Sequence, residues 1–379
     1  MPRVQEINDI RQLDQVRQTW SSLLARTPGA TFFQTLDWLE VYWRHFGAGQ
    51  RLRLLVVHDR DEWPIGILPL VVRWDRTRLG PVRTLTYPLD DWGSFYGPIG
   101  PDPEAVLRAG LAHVRATPRD WQVLSLRWVD TAGSDAGVPP AAAEGAGGKM
   151  YPRVRAQTSL IELQGGWESY LAERGSKWRN NLRRWQRKLQ EQGELTFHRY
   201  RPRGAALGES DPRWDLFDTC VDLARRSWQG TSRTGTTLSH ATVAGFLRDL
   251  HARAAAVGGL DLNLLRLDGK PLAFAYNYFH HGHVYGLRIG YDASLSQNGV
   301  GNMMYTSVIE DSFRRGDHTY DLGAGSLDCK RHFRTEVRDI WQYDHFSFTP
   351  RAQILRLRRV ADSSNKASRP FLAAADKDA

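Results

Sequence analysis

Two spacings of apolar residues alternate along this chain. A helical spacing opens it, from Asn8 to Leu24, and returns after a short Thr- and Gly-containing turn through Trp38, Val41, Tyr42 and Phe46. The pattern then becomes β-type. Leu52-Arg-Leu-Leu-Val-Val-His58 and Ile65-Gly-Ile-Leu-Pro-Leu-Val-Val72 flank the polar turn Asp59-Arg-Asp-Glu62, which predicts a hairpin. Pro69 lies inside the second run and has no N–H for a ladder, so an edge position or a bulge is expected there. Leu85–Gly100, LTYPLDDWGSFYGPIG, reads as loop, Pro103–Ala116 as helix and Gln122–Val129 as strand. Thr131–Lys149 is mostly Ala, Gly and Pro with little to bury, and reads as a flexible connection or a long exposed loop.

The arrangement then recurs. After a strand over Thr158–Leu163 and a helix over Ser176–Gln190, Leu262–Phe279 again reads strand, Asp-containing turn, proline, strand. Asp268-Gly269 signals a tight hairpin because glycine tolerates positive φ. Its likeness to Leu52–Val72 predicts an internal duplication of one α/β module, and 379 residues are too many for one ordinary core. A strand at Val284–Gly290, a glycine-punctuated loop at Asp292–Gly301 and a helix at Asn302–Arg314 follow. Then come a strand at Thr319–Leu322, a Gly323-Ala-Gly325 turn, a short helix near Lys330 and a strand at Ile340–Phe348. From Leu355 the chain reads as a basic helix and a polar tail. The expected division is 1–150, 151–350 and 351–379.

Charge narrows the partners. There are 51 Lys and Arg against 42 Asp and Glu, a formal net charge of +9. This favours anionic partners: a nucleotide cofactor's phosphates, a nucleic acid, a cell-wall precursor or a membrane surface. The longest apolar stretch, Trp63–Val72, is interrupted by Pro64, Gly66 and Pro69 and is far short of the roughly 20 residues a bilayer span needs. The charged N-terminus has no apolar h-region, so the expected location is cytoplasmic, with peripheral membrane association left open. Cys220 and Cys329, the two cysteines, form no CxxC pair, which fits a reducing compartment and leaves no reason to expect a metal. No G-x-S-x-G elbow, Walker loop or HExxH occurs, which removes the common hydrolase, NTPase and zinc-protease readings.

Several patterns remain that can carry chemistry. In SKWRNNLRRWQRKLQ, Trp178, Leu182, Trp185 and Leu189 form one apolar stripe, expected to be core packing. Lys177, Arg179, Arg183, Arg184, Arg187 and Lys188 fill most of the rest with one sign of charge, suited to phosphates. Ser296-Gln-Asn-Gly-Val-Gly301, opening the helix at Asn302, has the small residues that let backbone N–H groups approach a pyrophosphate at a helix N-terminus; a capped tight turn would look the same. Asp90-Asp91-Trp92-Gly93-Ser-Phe-Tyr96 is an acidic, aromatic loop in a basic protein, able to hold a substrate ammonium. His280, His281 and His283 read better as an exposed turn than as a metal site. Tyr276, Tyr285, Arg288 and Tyr291 could line an acceptor cleft, although strand alternation puts only every second residue on one face.

The order of these elements is similar to the GNAT core, and the likeness extends further. Phe32-Phe-Gln-Thr-Leu-Asp-Trp-Leu-Glu-Val-Tyr-Trp43, Ile67–Leu70, the DDWGSFYGP loop and YDLGAGSLDCKRHF at Tyr320–Phe333 together resemble the cellulose-biosynthesis-associated acetyltransferase-like family, a relative of the Fem aminoacyl transferases of peptidoglycan synthesis. The resemblance implies a mixed α/β fold of tandem GNAT-like domains, the first acceptor-side or degenerate and the second catalytic. It implies an N-acyltransferase working on an amine in cell-envelope or exopolysaccharide biosynthesis, with acyl-CoA, notably acetyl-CoA, as donor. GNAT enzymes carry Q/R-x-x-G-x-G/A at the pyrophosphate loop, and Ser296 stands here at the first position. Ile289, Gly290, Ser296, Gly299, Gly301 and Asn302 would contact the donor, and Asp91, Trp92 and Tyr96 would face the acceptor. Arg183 would meet phosphate. Lys330 would stabilise the oxyanion, and Asp321 would orient the lysine or accept a substrate amine. Two rivals keep the fold: a Fem-like aminoacyl transferase taking its group from tRNA to a peptidoglycan precursor, and a non-catalytic accessory protein of polysaccharide synthesis.

Overall fold

The computed structural model describes residues 2–89, 92–130, 138–146, 148–232, 235–294 and 299–366. The first half contributes β1 (Arg3–Ile7), α1 (Arg17–Leu24), α2 (Leu36–Phe46), β2 (Arg51–His58), β3 (Pro64–Thr77), β4 (Gly80–Thr86), α3 (Pro103–Ala116) and β5 (Val123–Asp130). Then come α4 (Val138–Gly145), β6 (Tyr151–Glu162), α5 (Trp167–Ala172), α6 (Ser176–Gln190), β7 (Leu195–Tyr200), α7 (Trp214–Arg226) and α8 (Ala244–Ala256). The chain continues through β8 (Leu260–Leu267), β9 (Lys270–His280), β10 (His283–Tyr291), α9 (Val300–Arg315), β11 (Thr319–Ala324), α10 (Leu327–Lys330), β12 (Glu336–Phe346) and α11 (Pro350–Lys366). Helix starts follow local chemistry. Thr35 caps α2 by accepting from Trp38 N at 3.1 Å, and Asp102 caps α3 by accepting from Ala105 N at 3.0 Å with Pro103 just inside.

The duplication read from sequence is visible in the pairing. Strands β1 to β5 join by three antiparallel contacts and then one parallel contact, and β7 to β11 do the same. The two halves are not separate sheets side by side. Among the described residues one twelve-stranded mixed sheet runs β1-β2-β3-β4-β5-β12-β6-β11-β10-β9-β8-β7. The last strand, β12, inserts between β5 and β6, antiparallel to both, and so joins the halves.

Three expectations change for stateable reasons. The Ala-rich stretch is not all loop: Val138–Gly145 is helical, and Ala142 and Ala143 are buried in the first-half core. Alanine is the best helix former, and its small side chain suits close helix packing. Pro69 lies on an interior strand, but β4 pairs with β3 only over Val71–Thr77, so the proline sits beyond β4's reach. Asn8–Leu24 is not one helix. A 3-10 segment, Ile10–Val16, precedes α1, capped by Asp9.

The halves share a core. Phe32 stacks on Tyr278 with centroids 4.5 Å apart, Phe33 meets Tyr285 edge-on at 5.5 Å, and Trp38 meets Phe246 edge-on at 5.8 Å. Such pairs add roughly 0.5–1.5 kcal/mol each beyond their buried area. A second core lies under α5, α6 and α9, with Ile161, Trp178, Leu182, Val300, Met304 and Tyr320.

Under α9 a buried ion network fixes that helix to the sheet. Arg199 Nε and Nη2 donate to the two oxygens of Asp261 at 2.7 and 2.9 Å, and Nη1 donates to Ser312 Oγ at 2.9 Å near the helix's end. Arg201 holds Asp317 at 2.7 and 2.8 Å. Burial alone would raise the Asp261 carboxyl, but the Arg199 and Arg201 guanidiniums outweigh it and hold it well below the usual carboxylate range. Its contribution to stability is therefore present above the unfolded value of about 3.9 and fades as pH falls below it. Asp261→Ala should cost about 3–5 kcal/mol, because it leaves Arg199 buried without its main partner. Urea unfolding at pH 7 checks this, and the variant should also lose part of the wild type's destabilisation below pH 4. A cost under about 1 kcal/mol would contradict the assignment.

Candidate active site

Strands β10 and β11 run parallel for only three residue pairs, His283–Thr319, Val284–Tyr320 and Tyr285–Asp321, and then part. Two glycines stand at the fork. A Cβ on Gly286 would lie 2.7 Å from Asp321 O, and one on Gly323 2.9 Å from Gly286 O; Gly323 also holds φ at +81°. Neither site has room for a side chain. Past the fork, β10 stays with β9, and β11 returns to β6 through Ala324–Thr158 after an irregularity. Side chains then meet the β10 backbone: Gln229 Nε2 donates to Ile289 O at 3.1 Å and Arg288 Nη1 to Leu287 O at 2.6 Å.

Asp321 is fully buried at the fork. Its Oδ1 accepts from Thr158 Oγ1 and from Gly323 N at 2.8 Å, while Oδ2, also buried, has no hydrogen-bond partner. Burial raises this carboxyl above the ordinary value; the hydrogen bonds, the Lys330 charge and nearby Ser94 only partly offset it. Lys330 is buried too, and its ammonium donates to the carbonyls of Gly323, Ala324 and Gly325 at 2.8, 3.3 and 2.9 Å. All three N–H groups are thus engaged in holding the turn that follows β11. Burial lowers the ammonium, and Asp321 restores part of that. Each partner is pushed toward its neutral form, an environment common to working acids and bases.

The other candidates fall into groups. Tyr285 is buried beside Asp321, and burial followed by the Asp321 and Asp130 charges raises its phenol. Arg288 places its guanidinium 4.7 Å above the buried Trp92 ring and donates to Thr236 O at 2.6 Å, so Trp92 of the first half reaches the fork. Gly299, at φ +68°, starts α9, and Asn302 lies on its first turn. Tyr291 packs on Gly301, Gly290 on Phe274, and Ile289 against the second core. Tyr276 is elsewhere: it is fully buried, with its hydroxyl 3.0 Å from His251 Nδ1. Tyr96 is buried in the first half, and Arg183 is exposed on α6. Asp91 and Ser296 lie outside the described residues. Among the described residues no cluster of three or more His, Cys, Asp or Glu could hold a metal ion.

A cavity of about 280 Å³ opens between α6 and the helices that follow the two parting strands, α9 and α10. Trp178, Asn181, Trp185, Asn302, Asp328, Cys329, Arg331 and His332 line it. Trp185 lies so close to Gly299 that a Cβ there would sit 2.4 Å from the indole. Sequence reading missed Thr158, Gln229, Asn181 and His332. Thr158 and Gln229 come from distant segments that no local motif marks, whereas Asn181 and His332 sit inside segments the sequence singled out for other residues. In the first half the corresponding fork, where β4 and β5 pair over only Thr84–Thr86 and Val123–Ser125, is packed differently. Tyr87, Leu89, Trp92, Phe95 and Tyr96 are buried there, and Tyr96 N donates to Trp128 O on β5 at 2.8 Å.

Residues 176–331 match the family model described as Acetyltransferase (GNAT) domain. No curated protein matches the sequence. Among solved structures, FemX superposes with a TM-score of 0.61 at 12% identity, covering 93% of this chain and 99% of its own. A conserved protein of unknown function from Bacteroides thetaiotaomicron VPI-5482 gives 0.53 at 13% identity, covering 92% of this chain and 100% of its own. A tandem GNAT protein from the clavulanic acid biosynthesis pathway gives 0.50 at 12% identity, over 92% and 100%. These likenesses establish the fold: a mixed sheet flanked by helices in the tandem GNAT arrangement, with the matched GNAT domain in the second half.

The Asp321 environment has a thermodynamic signature. A carboxyl raised in the folded state stabilises fully below the unfolded value of about 3.9 and loses that contribution as pH rises through the folded value. Asp321→Asn keeps the Oδ1 acceptor and cannot ionise. Its urea stability at pH 8 should equal or exceed that of wild type. A clear loss at pH 8 would show that the ionised carboxylate is a structural requirement.

Proposed function

We propose that the protein is an N-acyltransferase whose acyl donor enters the parting of β10 and β11 and whose acceptor amine approaches from the first-half side. The buried Asp321 Oδ2, unpartnered at the fork, is the observation that carries this reading. A buried polar oxygen without a partner is costly in a core and useful where a substrate N–H completes it. Acyl-CoA, when bound, would supply an activated thioester carbonyl. Backbone groups along Ile289 and Gly290, together with Gly299, Gly301 and Asn302 at the start of α9, would hold it. Asp321 takes the proton of the acceptor amine at Oδ2, helped by its raised affinity for protons. Trp92, Tyr285 and Arg288 shape the acceptor side. Lys330 acts as a fixed positive charge that locks the Gly323–Gly325 turn; direct donation to an oxyanion would require it to release one of its three carbonyls. The acceptor is an amine of a cell-envelope or exopolysaccharide precursor, following the sequence resemblance.

A second reading, an aminoacyl group carried by RNA, is favoured by one feature. Lys177, Arg183, Arg184, Arg187 and Lys188 are exposed on α6, and no carboxylate among the described residues pairs with them. A nucleic-acid donor would bind there with a steep salt dependence.

Calorimetry with acetyl-CoA and with charged tRNA at two salt concentrations separates the two donors. Thiol release from acetyl-CoA over a panel of amines then reads the chemistry. Asp321→Asn should lower turnover by about 100-fold or more, within the range typical of a general base. Wild-type turnover should rise with pH until Asp321 is ionised. Turnover within twofold of wild type in a folded Asp321→Asn variant would remove the carboxyl from the mechanism.

A further inference from the structure

Helix α11 carries two apolar faces, and one of them points away from the protein. Ala352, Leu355, Arg356 and Arg359 face the sheet, at positions that fall on one side of a helix turning about 100° per residue. Ala352 and Leu355 pack with Val82, Val123 and Phe346. Arg356 donates to Tyr151 Oη at 3.2 Å, and Arg359 bridges the buried Asp344 at 2.7 Å.

On the opposite side, Ile354, Leu357 and Val360 are 46%, 61% and 43% exposed, and Phe348, just before the helix, is 87% exposed. Four of the ten exposed large apolar side chains among the described residues thus fall within one short segment. Such clustering is not the single scattered exposure that most surfaces show. One flank is cationic: Arg351 and Arg358, seven residues apart on the same side, are exposed, Arg351 also donating to Pro81 O at 3.0 Å, and Phe346 to Ala361 contains no acidic residue.

We infer that this ridge is a docking surface for an anionic lipid bilayer, with Phe348, Ile354 and Leu357 entering the headgroup boundary and Arg351 and Arg358 meeting lipid phosphates. The pattern is that of an interfacial helix: apolar side chains on one face with arginines along one border. A ridge on top of a sheet suits a plane better than a protein groove. No described helix is long and apolar enough to cross a membrane, so the contact would be peripheral. The inference does not depend on the acyltransfer reading.

The test is vesicle co-sedimentation of the full chain with phosphatidylcholine alone and with added phosphatidylglycerol. Wild type should pellet with the anionic vesicles, and binding should fall at least tenfold at high salt. Ile354→Ser/Leu357→Ser and Arg351→Glu/Arg358→Glu should each lower binding at least tenfold with an unchanged melting temperature. A chain ending at Lys366 should bind at least as well as the full chain. Three outcomes would overturn the proposal: no binding to anionic vesicles by either chain length, equal binding by the variants, or a wild-type dimer that the same variants dissociate, which would make this face an interface between copies. Acetyl-CoA binding unchanged in these variants would confirm that membrane docking and donor binding are separate properties.

Discussion

The parting of β10 and β11 is the constraint on which the rest depends. Two parallel strands would ordinarily stay paired, because each unpaired N–H and C=O must find another partner. Here they separate after three residue pairs, held at the fork by two glycines that leave no room for a Cβ. Beyond it, Gln229 and Arg288 supply donors to the β10 carbonyls, and Lys330 supplies three to the turn after β11. These carbonyls find donors without closing the gap. The Asp321 carboxyl sits at the vertex with one oxygen unpartnered.

Duplication gives both halves the same fork, and side-chain packing makes the two forks different. Both halves repeat three antiparallel contacts and one short parallel contact, so both contain the geometric opportunity. In the first half, aromatic side chains fill the space after β4, and one of them, Trp92, extends under Arg288 toward the second fork. The first half thus contributes a wall beside the second fork. The shared aromatic core and the inserted β12 hold that wall in place.

Much of this was legible in the chain. Hairpins at Leu52–Val72 and Leu262–Phe279 announced themselves through β-rich runs and turn chemistry, and Pro103–Ala116 read as the helix it forms. Other features were not legible, because they depend on distant partners. Arg199 reads as one arginine among many until Asp261, Ser312 and Asp317 surround it. Thr158 is an ordinary strand residue until β11 lies beside it. Nothing local told that β12 would pair between β5 and β6, or that the Lys330 ammonium would find three carbonyls within its own turn. The Ala-rich segment looked like a linker because alanine has little to bury, yet α3 offered a surface on which a small side chain was enough.

Hydrogen exchange of the backbone amides, with and without acetyl-CoA, measures the use of the fork most directly. Slower exchange confined to Leu287–Tyr291, Leu322–Gly325 and the first turn of α9 is the result expected of a donor lodged between the strands. Exchange that stays unchanged there, at acetyl-CoA concentrations that saturate any binding seen by calorimetry, would contradict the account.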